Sequence, residues 1–153
     1  LKKAFNIKTV KMALQKIVIL GPESTGKSTL CEALAKHYNV FQCPEYARQF
    51  LTENGLKYNY EDLLTIANGQ LTLEDEWTQK SIENKKNTLV VDTDMYVMKV
   101  WCEYVFQNAH TFILEKINER KYDLYLLCDI DLPWAKDEMR EYPDPQQIGR
   151  AHV

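Results

Sequence analysis

Residues 17–28 read IVILGPESTGKS: four apolar residues, a loop bracketed by glycines, then a lysine and a serine. The apolar run is short, largely β-branched and unbroken, which suits a strand buried on both faces. Gly21 and Gly26 free the backbone for a tight loop whose successive N–H groups turn inward. The stretch Lys27–Tyr38, KSTLCEALAKHY, has neither glycine nor proline and reads as a helix. Its positive N-terminal end faces the same hollow. Strand, loop and helix in that order make a phosphate cradle, the P-loop. In the spacing GxxxxGK[ST], Lys27 reaches the β- and γ-phosphates and the Ser28 hydroxyl is placed for Mg²⁺. The plainer alternative is a glycine turn with a surface lysine, which requires neither the strand before it nor the helix after it.

The length of 153 residues suits one domain. The formal charge of −3 argues against general binding to nucleic acid or an anionic membrane, whereas a phosphate site needs only local positive potential. Lys99 and Glu103 interrupt the most apolar stretch, Met95–Phe106, which is far short of the roughly 20 residues of a membrane span. No charged, apolar and cleavage pattern opens the chain. Cys31, Cys43, Cys102 and Cys128 share no CxxC spacing and read as reduced, mostly buried thiols. A cytoplasmic protein is expected.

Around the loop, short β runs alternate with helical stretches, the pattern of an α/β domain with a parallel sheet. Strands are expected at 17–20, 40–43, 88–91 and 124–128. Helices are expected at Lys27–Tyr38, 45–53, Tyr60–Glu83, Met95–Phe106 and 111–120. Leu63, Ile66, Ala67, Leu73, Trp77 and Ile82 form the apolar side of the long helix. Met95–Phe106, apolar nearly all round, reads as a helix buried under the sheet. Right-handed crossovers put helices on both faces, and ligands then bind at the carboxyl ends of the strands. Residues 1–15 are lysine-rich without a period and read as an extension or linker, 16–147 as the folded domain, and 148–153 as an unpatterned tail.

Three further segments carry candidate chemistry. Residues 89–92, LVVD, are a hydrophobic strand ending in an acid, which suits Asp92 to hold Mg²⁺ opposite a P-loop. Asp94 either caps the next helix or reaches the ligand. Glu45, Tyr46 and Arg48 follow the second strand and put an acid, a ring and a cation on the ligand side. Glu45 suits a general base or, more plainly, a helix N-terminus, and Arg48 suits phosphate charge or the fixing of Glu45. Residues 134–144, WAKDEMREYPD, read as a lid or a solvated loop, with Arg140 the cation for a transition-state contact and Arg150 a weaker candidate. Tyr96 and Trp101 read as core residues, and the scattered His37, His110 and His152 suggest no metal site.

Together GPESTGKS, PEYARQF, the NGQ ending at Gln70, VVDTDMY and WAKDEMR resemble the ribosylnicotinamide kinase domain of NadR-type bacterial proteins, within the P-loop ATPase/kinase family. The likeness spans about 16–147. It implies a P-loop nucleoside/nucleotide kinase-like parallel sheet with helices on both faces. It also implies transfer of the ATP γ-phosphate to the 5′-hydroxyl of nicotinamide riboside, making nicotinamide mononucleotide in NAD salvage. On this sequence Gly21, Glu23, Ser24, Thr25, Gly26, Lys27, Ser28 and Thr29 would hold ATP, with Ser28 and Asp92 on Mg²⁺. Glu45, Tyr46, Arg48 and Asp94 would face the nucleoside, and Lys27, Glu45, Asp92 and Arg140 would carry the reaction. Such domains carry a further strand and helix after the fourth strand, and are often fused to an adenylyltransferase domain. The expectation is thus a shortened version of a longer native chain. A kinase of another nucleoside and a regulatory nucleotide-binding module are the competing functions.

Overall fold

A computed structural model describes residues 13–133. The elements run β1 (Gln15–Leu20), α1 (Lys27–Tyr38), β2 (Phe41–Cys43), α2 (Tyr46–Asn54), α3 (Tyr60–Glu83), β3 (Thr88–Asp92), α4 (Met95–Phe106), α5 (Thr111–Glu119) and β4 (Leu124–Leu127). The four strands pair in parallel in the order β2-β3-β1-β4. The chain therefore crosses over between β1 and β3, and every loop leaving a strand's carboxyl end opens on one side of the sheet.

Alternation along the strands divides the core into two faces. Ile19 and Val90 point toward α1, packing with Cys31, Leu30 and Leu34. Val18, Leu89, Val91 and Cys43 point the other way, toward Leu73 and Trp77 of α3. The helix α3 starts from a capping box in which Asn59 accepts from the Glu61 and Asp62 amides and Asp62 accepts from the Asn59 amide. That arrangement satisfies orphan N–H groups at a 24-residue helix with a glycine in its middle. Cys31, Cys43 and Cys102 are buried free thiols and Cys128 is half-buried.

The expected elements are present, but three placements differ from the sequence reading. The stripe of α4 formed by Met95, Met98 and Cys102 packs with Leu63, Ile66 and Ala67 of α3 and Ile113 of α5, not under the sheet. The sheet face opposite α1 is already taken by α3, so the apolar α4 completes a helical layer instead. Tyr96 is 45% exposed and no core residue, while Trp101 packs on the helical cluster and donates to the Tyr58 hydroxyl at 2.9 Å. Ile82, near the end of α3, is 45% exposed because it lies off the buried stripe, which there runs through Ser81. Leu127 of β4 is 71% exposed. Among the described residues no helix is long and apolar enough to cross a membrane.

Candidate functional site

The loop between β1 and α1 is built on positive φ angles: Gly21 at +143°, Ser24 at +63° and Gly26 at +79°. At Gly21 a Cβ would lie 2.7 Å from the Cys128 carbonyl, so a side chain there collides with the end of β4 as well as straining the backbone. The Pro22 carbonyl accepts from two side chains, Thr25 Oγ1 at 2.8 Å and Lys27 Nζ at 2.7 Å. The loop is thereby curled on itself, with the lysine folded inside the curl. The Ser28 hydroxyl donates to Asp92 Oδ2 at 2.6 Å, joining the start of α1 to the end of β3.

Ile19 pairs with Asp92 in the β1–β3 register, which brings the acid beside the loop. Burial pushes the Asp92 carboxyl up from its ordinary range, against the Ser28 hydrogen bond and the Lys27 charge, which pull it down. The next residue, Thr93, is buried with φ +73°, a conformation a β-branched side chain rarely takes. Its N–H donates to the Ile19 carbonyl at 3.2 Å, holding that turn to the central strand. Asp94 is buried and caps α4, accepting from the Tyr96 amide at 2.8 Å. The cap reading of Asp94 is present in its contacts. Burial pushes its carboxyl up to about 6.

Glu45 ends the β2–α2 connection in extended backbone, and its carboxylate makes no capping bond to α2. Burial raises it, the Asp92 charge raises it further, and the Lys27 and Arg48 charges lower it. The four groups thus feel one another across the carboxyl end of the sheet. The Tyr46 ring, by contrast, lies against α3: a Cβ on Gly69 would meet its Cε1 at 2.1 Å. Arg140 and Arg150 lie outside the described residues.

Sequence reasoning quoted Gln70 within the resemblance but gave it no role in the site. It is 2% exposed, and its Oε1 accepts from the Tyr46 amide at 2.7 Å while its Nε2 faces the Pro44 and Asp92 carbonyls at 3.3 and 3.4 Å. The signal was present in the helical period, since Gln70 and Glu74 continue the buried stripe Leu63, Ile66, Ala67. A polar residue on such a stripe needs a polar partner inside.

A parallel sheet in this order with this loop at its centre defines a P-loop nucleotide-binding domain of the kinase type. Residues 16–152 match the profile of the family described as AAA domain, and the chain belongs to that family. It is 28% identical over 130 residues to the trifunctional NAD biosynthesis/regulator protein NadR of Salmonella typhimurium, and 29% identical over 128 residues to that of Escherichia coli. Each alignment covers 81% of this chain, which spans about a third of the relatives' length, 30% in both cases. The crystal structure of NadR protein in complex with NAD and AMP-PNP is similar with a TM-score of 0.72, at 18% identity, over 92% of this chain and 40% of that one. NadR protein in complex with NR gives 0.69 at 21% identity, over 76% and 34%. Thymidylate kinase from Ehrlichia chaffeensis gives 0.52 at 16% identity, over 76% and 72%. These structures share the fold.

Proposed function

We propose that this chain is an ATP- and Mg²⁺-dependent kinase of a small nucleoside, with nicotinamide riboside as acceptor and nicotinamide mononucleotide as product. The observation that carries the reading is the electrostatic grouping of Lys27, Asp92, Glu45 and Arg48 at one end of the sheet. A nucleotide-binding module without an acceptor needs the first two only. The likeness to the two NadR relatives, and to a NadR structure solved in complex with NR, supports the choice of nucleoside.

In this reading the loop residues Gly21, Glu23, Ser24, Thr25, Gly26, Lys27, Ser28 and Thr29 hold the phosphates of ATP. Lys27 leaves the Pro22 carbonyl for the β- and γ-phosphates, exchanging a neutral acceptor for a charged one. Ser28 and Asp92, already 2.6 Å apart, are an alcohol and a carboxylate of the hard-oxygen type that suits Mg²⁺ with phosphates and waters. When bound, the metal neutralises charge on the transferring phosphoryl group.

Glu45 orients the acceptor hydroxyl and receives its proton as the new O–P bond forms and the bond to the ADP leaving oxygen breaks. Because the transition state is loose, phosphate charge matters more than early deprotonation. Lys27 and the lid arginine, Arg140, therefore weigh more than Glu45. Tyr46 and Arg48 line the acceptor side. Asp94 faces the nucleoside side as well and, by capping α4, holds the start of that helix. Residues 16–147 would form the kinase unit, with 1–15 and 148–153 outside it.

The test is turnover of ATP with nicotinamide riboside and a panel of other nucleosides, with mass detection of the phosphorylated product and Lys27→Ala as control. The mononucleotide is expected from nicotinamide riboside first. Another nucleoside turning over faster would overturn the substrate. Equal ATP consumption with and without every acceptor would overturn the kinase.

A further inference from the structure

Three backbone groups lie where the sheet comes apart. The β2–β3 ladder ends at Cys43, opposite Val91. Beyond it β2 departs through Pro44 and Glu45 into α2, while β3 continues to Asp92. The Pro44 carbonyl, the Tyr46 amide and the Asp92 carbonyl have thus lost their neighbouring strand. A buried backbone group without a partner costs about 1–3 kcal/mol.

One side chain answers all three. Gln70, from the middle of α3, gives its Oε1 to the Tyr46 amide at 2.7 Å, and its Nε2 lies 3.3 Å from the Pro44 carbonyl and 3.4 Å from that of Asp92. The primary amide is suited to this, having an acceptor at one end and two N–H donors at the other. The residue before it, Gly69, leaves room for the Tyr46 ring: a Cβ there would stand 2.1 to 2.5 Å from three ring carbons. Glycine inside a helix costs about 1 kcal/mol relative to alanine, so its presence calls for a packing reason, and the ring is one.

We infer that Gly69 and Gln70 are positioning residues that set Glu45 against Asp92, by gripping Tyr46 through its amide and its ring and tying that grip to the end of β3. This rests on the kinase reading, because Glu45 is the base only if a hydroxyl acceptor is bound. Gln70 touches none of the reacting groups. Its amide spans the backbone on both sides of Glu45 and the backbone of Asp92 itself. A shift of about 1 Å between these two acids is enough to cost on the order of 10²-fold in transfer, while the phosphate loop, anchored on β1 and α1, stays in place.

The experiment compares wild type with Gln70→Leu, Gln70→Glu and Gly69→Ala. It reads steady-state transfer to the acceptor, equilibrium affinity for a fluorescent ATP analogue with Mg²⁺, and hydrogen exchange at the Tyr46 amide. For Gln70→Leu we expect kcat to fall about 10²-fold, nucleotide affinity within twofold of wild type, and loss of protection at Tyr46. Gln70→Glu keeps the acceptor for the Tyr46 amide but loses the donors, so protection stays while transfer falls by about tenfold. It also carries the test should the leucine variant not fold. Gly69→Ala, favourable for helix propensity, should lower transfer by displacing the ring. Wild-type transfer in the two Gln70 variants overturns the proposal, and so does a loss of nucleotide affinity as large as the loss of transfer. A wild type that transfers nothing to any acceptor overturns the kinase reading, and the positioning role with it. That failure is distinct from an active wild type matched by its variants.

Discussion

The two ends of the sheet treat buried charge in opposite ways. Near the amino ends, Glu74 is 1% exposed, yet Lys16 Nζ lies 2.6 Å from one oxygen and the Tyr122 hydroxyl donates to the other at 2.7 Å. Arg120 adds a second cation at 3.6 Å and also forks onto Asp75, whose carboxyl it holds below the usual range through its hydrogen bond. At the carboxyl ends, Asp92 and Glu45 are both pushed up by burial, and part of the push on Glu45 is the other acid's charge. The first group is finished within the chain. In the second, burial outweighs the pull of Lys27 and Arg48 on both acids, as suits a site that receives a metal and phosphates. Charge completed from inside contributes to stability, and charge left incomplete makes room for a ligand.

The largest effect that would sharpen this contrast is Lys27→Ala. The lysine's structural bond is one contact to the Pro22 carbonyl, so the unfolding midpoint should hold within about 1 kcal/mol of wild type. Turnover should drop by 10³-fold or more, on the scale of a phosphate-neutralising cation in the transition state. Calorimetry beside the kinase assay checks both. A drop of less than tenfold would move the active cation elsewhere.

Lys16→Met applies the same charge deletion at the other end and should give the reverse pattern. Breaking a buried pair costs about 3–5 kcal/mol when the partner is left bare. Here Tyr122 and Arg120 remain on Glu74, so about 2–3 kcal/mol is expected from denaturant unfolding, with kcat within threefold. If kcat falls with stability, the two ends are not independent.

How much of this division was legible beforehand follows from where each residue's partners lie in the chain. The phosphate loop could be read because its loop, lysine and hydroxyl fall within eight consecutive residues. The strands and helices followed from local period, and the boundaries of α3 and α4 coincide with the sequence reading. What stayed hidden depends on partners far along the chain. Glu74 meets Lys16 across 58 positions and Tyr122 across 48, and Gln70 meets Tyr46 across 24. The sequence reading left Glu74 and Gln70 off the apolar side of α3, and their helical spacing alone gives no indication of who would satisfy them. The misplacement of α4 has the same origin: apolarity predicts burial, but the surface that buries it is a tertiary matter.

A pH measurement draws the line between the ends more finely. Folded Asp94 holds its proton up to about pH 6, against an ordinary value of 3.8. Across that window the folded chain binds more protons than the unfolded one, so stability falls as pH rises and then levels. Glu74 adds to the push on Asp94, and the Asp94 charge in turn raises Tyr122 and Tyr125. Asp94→Asn keeps an acceptor for the Tyr96 amide and removes the titration. It should raise stability at pH 7 by about 2 kcal/mol and make the slope between pH 4 and 6 shallower. Asp92 and Glu45, shifted in the same direction, keep the slope from vanishing.

The smallest effect concerns Thr93, the residue that separates the two acids. At φ +73° a threonine stores on the order of 1 kcal/mol that glycine would not, while glycine loosens the unfolded chain by a similar amount. Thr93→Gly should therefore change stability by less than about 1 kcal/mol in either direction. Its effect on chemistry should be larger than that near-balance suggests. The threonine hydroxyl lies 3.5 Å from Asp92 Oδ1, and its β-branch limits how far the turn can swing. Without them Asp92 keeps the Ser28 bond at 2.6 Å but loses the Thr93 contact, and its carboxylate gains freedom before any metal arrives. Metal affinity measured by magnesium titration of nucleotide binding should weaken by a few-fold, with the thermal midpoint nearly still. A stabilised variant with unchanged magnesium dependence would mean that the strained turn serves the fold alone, and the carboxyl end would then be less specialised than its charges suggest.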